Sequence, residues 1–460
     1  MQQVTAELLE RFDVPGPRYT SYPTADRFVE AYGPTQYAQC LEQRRGGLGA
    51  RAVPLSVYIH IPFCDSLCYY CACNKIITKR YSKALSYLEL LEREIDLHAN
   101  AFGVRQHVSQ LHLGGGTPTF LKDEELTRLM KALERAFEFT LNCERSIEVD
   151  PRTVTPERLK FLRKLGFNRI SFGVQDFNEG VQKAVHRVQS VQDVTDLVRS
   201  SRELGFDSIN LDLIYGLPKQ TPSSYERTLE QVIAISPDRI ALYAYAHLPA
   251  RFKPQRRIHD SELPSATAKI FMLAKAMRQL ADAGYVYIGM DHFAKSTDSL
   301  AISKRRGTLH RNFQGYTVQP DGDLIGLGVS AIGRVGASYS QNAKDLEIYS
   351  DLIEQGKFPV VRGLTLSRDD LLRRTVIMAL MCQGLLSFDD IEQTYLIDFR
   401  SYFANELGQL EQMKEDGLVK IDSNGIEVTS MGWFFVRAAA MVFDKYLTLD
   451  ENRARFSKII

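Results

Sequence analysis

The chain has 460 residues, of which 44% are hydrophobic and 25% are charged, and its formal net charge is +1. These proportions exclude wholesale disorder, and the length exceeds the roughly 150 residues of one domain, which predicts two or three units or one large barrel with attachments. The balanced charge argues against a nucleic-acid partner, because such proteins usually carry a basic excess.

Residues 1–50 are predicted to form an N-terminal arm. Neither this segment nor the rest of the chain shows a signal pattern or an apolar run near the roughly 18 residues of a membrane span, so the cytosol is the predicted compartment. Pro15, Pro17 and Pro23 surround the sequence RYTSYPTA at residues 18–25 and would break a single helix. We therefore expect the arm to drape over the domain that follows.

Six strand–helix units are predicted between residues 55 and 246. Short apolar or β-branched runs alternate there with amphipathic stretches of helical period, which implies parallel strands joined by right-handed crossovers. The pattern by itself fits either an open doubly wound sheet or a barrel. The predicted strands are 55–61, 110–113, 146–149, 169–174, 208–215 and 239–245.

The position of the chemically distinctive residues favours the barrel. They lie at or just beyond the C-terminal ends of the predicted strands, the face of a (β/α) barrel that carries the chemistry, whereas an open sheet concentrates its ligands at one switch point. We assign this barrel and its extension to residues 51–362. The distinctive residues are Cys64, glycines 114–116, Glu148, Gln175, Asp212 and Ala246.

Residues 363–460 are predicted to form a mainly helical C-terminal domain. Helices are expected at about 368–383, 388–395 and 400–416, followed by a hairpin over 417–429 and a last helix from about Met431. Helices with a small hairpin indicate a winged-helix-like module. Since it has no basic recognition helix, a structural or lid role is expected rather than DNA binding.

Four of the seven cysteines lie in one loop after the first predicted strand. Cys64, Cys68 and Cys71 are spaced C-x3-C-x2-C, and Cys73 follows two residues later. Three thiolates on one loop can hold three irons of a four-iron cluster and leave the fourth iron open. The alternative is structural zinc, which usually needs two separate cysteine pairs, although Cys73 could supply a fourth local ligand.

The loop resembles the signature C-x3-C-x-aromatic-C of the radical S-adenosylmethionine (SAM) enzymes, with Tyr70 as the aromatic residue. Further motifs, spread in order over most of the chain, resemble the oxygen-independent coproporphyrinogen III oxidases of that superfamily. These motifs are RYTSYPTA at 18–25, CACNK at 71–75, GGGTPT at 114–119, GVQDF at 173–177, NLDLIYGLP at 210–218, YAHLP at 245–249, DHFAK at 291–295 and HRNFQGY at 310–316.

The resemblance implies a partial (β/α)6 TIM-like barrel and a specific reaction. Two propionate side chains of coproporphyrinogen III are oxidatively decarboxylated to vinyl groups, forming protoporphyrinogen IX without oxygen. The implied cofactors are a 4Fe-4S cluster and SAM, in two molecules, from which a 5'-deoxyadenosyl radical is generated. The implied partners are the substrate and an electron donor for the cluster, and the implied state is a monomer.

The resemblance also assigns roles to single residues. Cys64, Cys68 and Cys71 are the implied cluster ligands, while Cys73 and Gln314 are the implied catalytic residues, with the role of Cys73 undefined. The first SAM molecule is expected to contact Tyr58, Gly115, Gly116, Glu148 and Ile332. The second SAM molecule is expected to contact Tyr70, Gly116, Thr117, Gln175, Arg187, Asp212 and Ala246.

Two competing hypotheses come from other functional classes. A haem chaperone on the same scaffold would keep the three-cysteine loop, although Cys73 and the RYTSYPTA arm favour the oxidase. A zinc-stabilised structural protein would contain zinc without iron or sulfide. Anaerobic product analysis and metal analysis would separate these three possibilities.

Overall fold

A mixed twelve-stranded sheet forms the largest part of the fold. The computed structural model describes residues 8, 11, 12, 14–47 and 53–448. The predicted boundary between residues 50 and 51, and the part of the predicted C-terminal domain beyond residue 448, therefore lie outside the described residues. None of the described helices combines the length and the apolar character needed to cross a membrane.

The strands are β1 (Leu55–Ile61), β2 (Phe63–Cys64), β3 (Ile76–Ile77), β4 (Gln106–Gly115), β5 (Phe137–Val149), β6 (Arg169–Gln175), β7 (Ser208–Tyr215), β8 (Arg239–Ala244), β9 (Tyr285–Gly289), β10 (His292–Lys295), β11 (His310–Asn312), β12 (Gly315–Thr317), β13 (Leu324–Leu327), β14 (Ile332–Val335), β15 (Ser338–Asn342), β16 (Val360–Thr365), β17 (Leu385–Ser387), β18 (Val419–Ile421) and β19 (Gly425–Val428).

The helices are α1 (Pro34–Gly46), α2 (Ser82–Phe102), α3 (Asp123–Ala136), α4 (Pro156–Lys164), α5 (Glu179–Ala184), α6 (Val191–Glu203), α7 (Pro222–Ile235), α8 (Ala266–Asp282), α9 (Ser299–Arg306), α10 (Leu346–Glu354), α11 (Arg368–Gln383), α12 (Phe388–Tyr395), α13 (Phe399–Tyr402), α14 (Ala404–Glu415), α15 (Val436–Val442) and α16 (Lys445–Thr448).

The centre of the large sheet consists of the six predicted parallel strands. β1, β4, β5, β6, β7 and β8 pair in that order and all run parallel, which confirms the predicted strand–helix units. β1 is buried on both faces because helices cover one face and the barrel interior the other, which explains its continuous apolar sequence. Among the described strands the sheet stays open, ending at β16 on one side and β9 on the other.

Antiparallel strands that the sequence did not predict extend the sheet at both ends. β10 and β9 continue it beyond β8. On the other side, β13 runs parallel to β1 and is followed by the antiparallel strands β14, β15 and β16. The extension through β13 explains how the HRNFQGY segment and the residues after it return to the barrel opening.

Threonine and serine caps fix where several crossover helices begin. The Thr155 hydroxyl accepts a hydrogen bond from the Arg158 backbone N–H at the start of α4, and the Ser190 hydroxyl does so from Asp193 at the start of α6. Each cap satisfies a backbone donor that the first helical turn leaves free. The Thr155 cap follows the loop after β5, and the Ser190 cap follows α5, the short helix after β6.

The N-terminal arm contacts both the sheet and the C-terminal helices. Val29 forms an antiparallel bridge with Gly363 in β16, and its N–H donates to the Gly363 carbonyl over 2.8 Å. The Tyr19 hydroxyl donates to Asp444 over 2.9 Å, and Arg437 Nε donates to the Pro17 carbonyl over 3.1 Å. The arm therefore joins the beginning of the chain to its C-terminal part.

The C-terminal part consists of α11 to α15 around a small sheet of order β17–β19–β18. The predicted hairpin corresponds to β18 and β19, whereas β17 was not predicted, and the predicted helix over 400–416 is divided at Phe403 between α13 and α14. Strand β16 belongs to the large sheet and crosses the predicted boundary at residues 362 and 363. The division of the chain into domains stays a prediction.

Candidate active site

A cavity of about 600 Å³ opens at the C-terminal ends of the parallel strands. Strand pairing aligns these ends, so that Glu148 lies beside Ser171 and Gly173 beside Asp212. The cavity brings together most of the predicted site residues from seven different segments of the chain. Those that line it are Cys64, Cys68, Tyr70, Cys71, Cys73, Gly115, Gly116, Thr117, Glu148, Gln175, Arg187, Asp212 and Gln314.

The cysteine loop is held at its base by the short parallel pair of β2 and β3. The Ile76 N–H donates to the Pro62 carbonyl over 2.7 Å, which closes the loop just after β1. On its outer side, the Tyr69 N–H donates to the Val185 carbonyl over 3.0 Å. These backbone bonds hold the four cysteines of the loop at the wall of the cavity.

The sulfur atoms of the loop face hydrogen-bond donors. Cys68 Sγ accepts from Arg187 Nη1 at 3.3 Å and from Arg152 Nη2 at 3.7 Å, while Cys64 Sγ accepts from the Thr117 hydroxyl at 3.5 Å. Donors of this kind stabilise the negative charge of a metal-bound thiolate. Three thiols on one loop with donors to two of their sulfurs fit the ligation of an iron–sulfur cluster.

The protonation of these cysteines differs with their surroundings. A hydrogen bond with Cys73 lowers the pKa of Cys71 to about 6 and raises the pKa of Cys73, while burial raises the pKa of Cys64 to about 11. Metal ligation requires a deprotonated thiol and itself favours that state. Among the described residues, no three His, Cys, Asp or Glu side chains are arranged to hold a single metal ion, whereas a four-iron cluster takes one thiolate at each of three separate irons.

Asp150 and Arg152 form part of this site, and the sequence analysis missed both. Asp150 Oδ2 accepts from Arg152 Nη2 at 2.7 Å and from Arg187 Nη1 at 3.0 Å, which joins the two guanidinium groups beside Cys68. Burial raises the pKa of Asp150, but the hydrogen bond and charge of Arg152 and the charge of Arg187 outweigh it and hold this pKa below its usual value. A signal was available, because Asp150 directly follows a predicted strand, as the distinctive residues do.

The glycine turn after β4 packs against the cysteine loop. A Cβ atom on Gly115, whose φ is +114°, would lie 2.7 Å from the His60 ring, and one on Gly116 would lie 2.7 Å from the Pro62 carbonyl oxygen. The Gly116 N–H donates to the Ile61 carbonyl over 2.8 Å. The family resemblance assigns Gly115 and Gly116 to contacts with SAM, and the structure adds that the protein's own packing requires both glycines.

Glu148 is an ionised acceptor at the end of β5. Its Oε1 lies 3.2 Å from His112 Nε2, and its Oε2 accepts from the Gly115 N–H over 3.2 Å. Burial favours the neutral acid, yet the hydrogen bonds and charge of His112, with the Gly115 N–H, hold the pKa of Glu148 below its usual value. A charged carboxylate at this position can accept from an amine or a hydroxyl of a bound molecule.

Asp212 differs from Glu148 in its proton affinity. Burial and then the nearby charge of Glu148 raise the pKa of Asp212 to about 6. The Ser171 hydroxyl donates to Oδ2 over 2.9 Å and the Asn210 amide to Oδ1 over 2.8 Å, which partly offsets this rise. The two carboxyl groups therefore line the same cavity with different pKa values, that of Glu148 lowered and that of Asp212 raised.

Gln314 and Gln175 both line the cavity. Gln314 Nε2 donates to the Val57 carbonyl over 3.3 Å, whereas its buried Oε1 has no hydrogen-bond partner in the described part of the protein. Gln175 has a φ of +70°, a left-handed conformation that a residue other than glycine seldom adopts. An unpaired buried acceptor is costly, so Oε1 marks a place where a ligand can donate a hydrogen bond.

Three predicted contact residues do not line the cavity. Tyr58 stacks on His112 with ring centres 5.8 Å apart, one layer behind the wall. The Ala246 carbonyl accepts from Gln255 Nε2 over 3.2 Å, and the same amide donates to the Tyr70 carbonyl over 3.0 Å. Ile332 packs in a cluster with Phe28 and Tyr339. Their assignment as SAM contacts stays a prediction.

Comparison with known proteins points to one family. Residues 58–232 match the radical SAM superfamily and residues 366–435 match the HemN C-terminal domain. The chain is 49% identical to the oxygen-independent coproporphyrinogen III oxidase of Pseudomonas aeruginosa, over 99% of this chain and 98% of the relative. With the enzyme of the same name from Escherichia coli it shares 47% identity over 98% of each chain.

A solved structure agrees with these relatives over nearly the whole fold. The coproporphyrinogen III oxidase of Escherichia coli, described as a radical SAM enzyme, superposes with a TM-score of 0.89 at 47% identity, over 94% of this chain and 100% of that one. The predicted fold class, a partial barrel with an arm and a helical C-terminal part, is thereby confirmed.

Proposed function

The chain belongs to the oxygen-independent coproporphyrinogen III oxidases of the radical SAM superfamily, and from this premise we propose how its residues divide the work of the reaction. The enzyme converts two propionate side chains of coproporphyrinogen III to the vinyl groups of protoporphyrinogen IX in haem biosynthesis. Each conversion releases carbon dioxide and passes one hydrogen atom to the radical that SAM supplies and one electron to an external one-electron acceptor. The oxidase hypothesis is confirmed over the haem chaperone.

SAM and a 4Fe-4S cluster are the cofactors of this superfamily. When bound, they supply a carbon radical able to take hydrogen from an unactivated C–H bond, which no protein side chain can do. We propose that Cys64, Cys68 and Cys71 bind the cluster. The observation that carries this assignment is that the three sulfurs lie on one loop at the wall of the cavity, with Thr117 and two arginines donating to them.

The carboxylates and the glycine turn are proposed to bind two SAM molecules. Glu148 is ionised at neutral pH and can accept from the amine or ribose of the first molecule, beside the backbone of Gly115 and Gly116. Tyr58 and Ile332 complete this proposed site from behind the wall. The proposed second site contains Tyr70, Gly116, Thr117, Gln175, Arg187, Asp212 and Ala246.

Arg187 has a constrained part in the second proposed site. Nη1 donates to Asp150 and Cys68, and both Nε and Nη2 donate to the Gly173 carbonyl. A carboxylate bound here would have to share the guanidinium with Asp150. Among the groups proposed for this site, Asp212 can still accept hydrogen bonds. Ser171 donates to one of its oxygens and Asn210 to the other, and each oxygen can accept a further hydrogen bond.

Cys73 and Gln314 are proposed to act on the substrate. Both line the cavity, Cys73 is exposed to it, and Gln314 Oε1 offers an acceptor that the protein leaves unused. We further propose that the protein works as a monomer in the cytosol and receives electrons from an external donor. All seven cysteines are free, as expected for a reducing compartment.

Anaerobic product analysis tests the function. Reduced protein reconstituted with iron and sulfide is incubated with SAM and coproporphyrinogen III, and the products are separated by chromatography. We expect protoporphyrinogen IX, with carbon dioxide and 5'-deoxyadenosine, and no product when SAM is omitted. Protein-bound haem without these products would contradict the oxidase and favour the chaperone.

A further inference from the structure

Cys68 differs from the other two proposed cluster ligands in what surrounds its sulfur. Two guanidinium groups donate to Cys68 Sγ, from Arg187 at 3.3 Å and from Arg152 at 3.7 Å. Cys64 Sγ receives only the neutral hydroxyl of Thr117, at 3.5 Å. Cys71 lies beside another cation, the Lys75 ammonium, whose charge and hydrogen bond help to lower the pKa of Cys71. Cys68 is thus the ligand sulfur to which two guanidinium groups donate.

Asp150 holds both guanidinium groups in place. Arg152 Nε donates to Asp150 Oδ1 over 3.0 Å and Arg152 Nη2 donates to Oδ2 over 2.7 Å, a fork-like pairing that fixes the plane of the guanidinium. Oδ2 also accepts from Arg187 Nη1 over 3.0 Å. Asp150 itself is nearly buried and caps the turn Pro151–Thr153 through the Arg152 backbone N–H, so its carboxylate has little freedom to move.

We propose that Asp150 and Arg152, acting with Arg187, set the reduction potential of the cluster through the sulfur of Cys68, with Asp150 as the positioning residue. The proposal rests on the cluster assignment above. Reduction adds one electron and hence one negative charge to the cluster. Hydrogen bonds to a ligand sulfur and nearby positive charge stabilise the more negative state, so they raise the potential.

The test is a potentiometric titration of the full-length protein after anaerobic reconstitution, before SAM is added. Dithionite supplies the electron, and reduction is followed by the loss of visible absorbance and the appearance of the paramagnetic signal. We expect Arg152→Gln to lower the midpoint potential. At the wild-type midpoint, the ratio of reduced to oxidised cluster should fall about tenfold, which corresponds to ~59 mV for one electron.

The variant Asp150→Asn distinguishes two possible effects of Asp150 on the reduction potential: holding the two guanidinium groups in place, and acting directly through its own charge. Removing a negative charge near the cluster would by itself raise the potential. If Asp150 instead acts by holding the two guanidinium groups on Cys68, the amide releases them and the potential falls. A lower potential in Asp150→Asn supports the proposal, and a higher potential overturns the positioning role.

Matched variants complete the design. Arg152→Lys keeps the charge but loses the planar fork, and we expect a smaller shift in the same direction. If Arg152→Gln does not bind iron, the midpoint potential of Arg152→Lys is measured in its place. Arg163→Gln is the control, because Arg163 donates to the Gly205 carbonyl outside the cavity, and its potential should equal that of the wild type.

Different outcomes would contradict the cluster assignment and the role of Asp150 and Arg152. Wild-type protein that binds no iron or sulfide would contradict the cluster assignment itself. Wild-type and variant proteins with full clusters and equal potentials would overturn only the role of Asp150 and Arg152.

Discussion

The two ends of the cavity contain similar residue types but use them differently. At the N-terminal ends of the strands, Arg169 pairs with Glu144 at 2.8 Å and Arg239 pairs with Asp298 at 2.9 Å. The Ser299 hydroxyl accepts from both arginines and links the two ion pairs. At the opposite end lie the free thiols and the carboxyl groups of Glu148 and Asp212.

The difference lies in what each end leaves available. The ion pairs at the N-terminal end are made within the protein and close the bottom of the barrel, which is a structural task, although Arg169 Nη1 has no hydrogen-bond partner among the described residues. At the C-terminal end, the thiols of the cysteine loop retain capacity for a ligand. Burial and charge are common to both ends, so the kind of group that is left available separates the site from the scaffold.

Removing a cluster ligand should have the largest effect. Cys68→Ala should abolish both the brown absorbance and turnover, because three sulfurs are proposed to hold the cluster and two cannot keep it. Iron and sulfide analysis with an activity assay measures the loss. Cys143→Ala is a matched control, since that cysteine lies outside the cavity, and should keep both properties. Full iron content in Cys68→Ala would refute the ligand assignment.

Cys73 tests whether the remaining thiol of the loop belongs to the chemistry. Cys73→Ser should retain iron and sulfide but lower turnover by about tenfold or more, the scale on which positioned side chains contribute to catalysis. The comparison needs equal iron content in variant and wild type. Unchanged turnover would show that Cys73 takes no part in the reaction. Loss of iron would show that Cys73 is a cluster ligand.

The raised pKa of Asp212 predicts a pH dependence of SAM binding. Below its pKa of about 6 the protonated acid loses its charge as an acceptor, so affinity should fall roughly tenfold per pH unit as the pH decreases further. Equilibrium binding of SAM between pH 5 and pH 8 measures this. The variant Asp212→Asn should bind SAM weakly at every pH, and its affinity should not fall further below pH 6. If the affinity of the variant fell below pH 6 as that of the wild type does, another group would be responsible for the pH dependence.

Removing an ion pair at the N-terminal end should lower the stability of the protein and should have the smallest effect on its chemistry. Arg239→Met leaves Asp298 buried without its cation, although the Ser208 hydroxyl still donates to it. We expect the free energy of unfolding to fall by about 2 kcal/mol, below the cost of a wholly uncompensated buried charge. Denaturant unfolding followed by circular dichroism measures it, while iron content and reduction potential should stay unchanged. An altered potential would contradict the division between the two ends.

The parallel core of the fold could be predicted because local sequence determines it. The predicted and observed bounds agree for β1, whose apolar run reflects burial on both faces, and for β7, in which buried and partly exposed residues alternate. The strands outside the core were missed for the opposite reason. β13 pairs with β1 although most of the barrel separates them in the chain, and no local periodicity reports such a partner.

The candidate site was also predicted only in part, because local sequence does not reveal contacts between distant segments. Motif spacing identified the cysteine loop and most cavity residues, since each sits at a strand end. Asp150 and Arg152 were overlooked because D-P-R after a strand resembles an ordinary turn cap. Only the folded chain brings Arg152 against Cys68, 84 positions earlier in the sequence.

The contacts of the arm have a consequence for biosynthesis. A ribosome makes the chain from its N-terminus, so Pro17, Tyr19 and Val29 emerge long before Arg437, Asp444 and Gly363, the residues that they bind. The nascent arm therefore lacks its docking surface until these later segments have been made. Its attachment is expected to be a late event of folding.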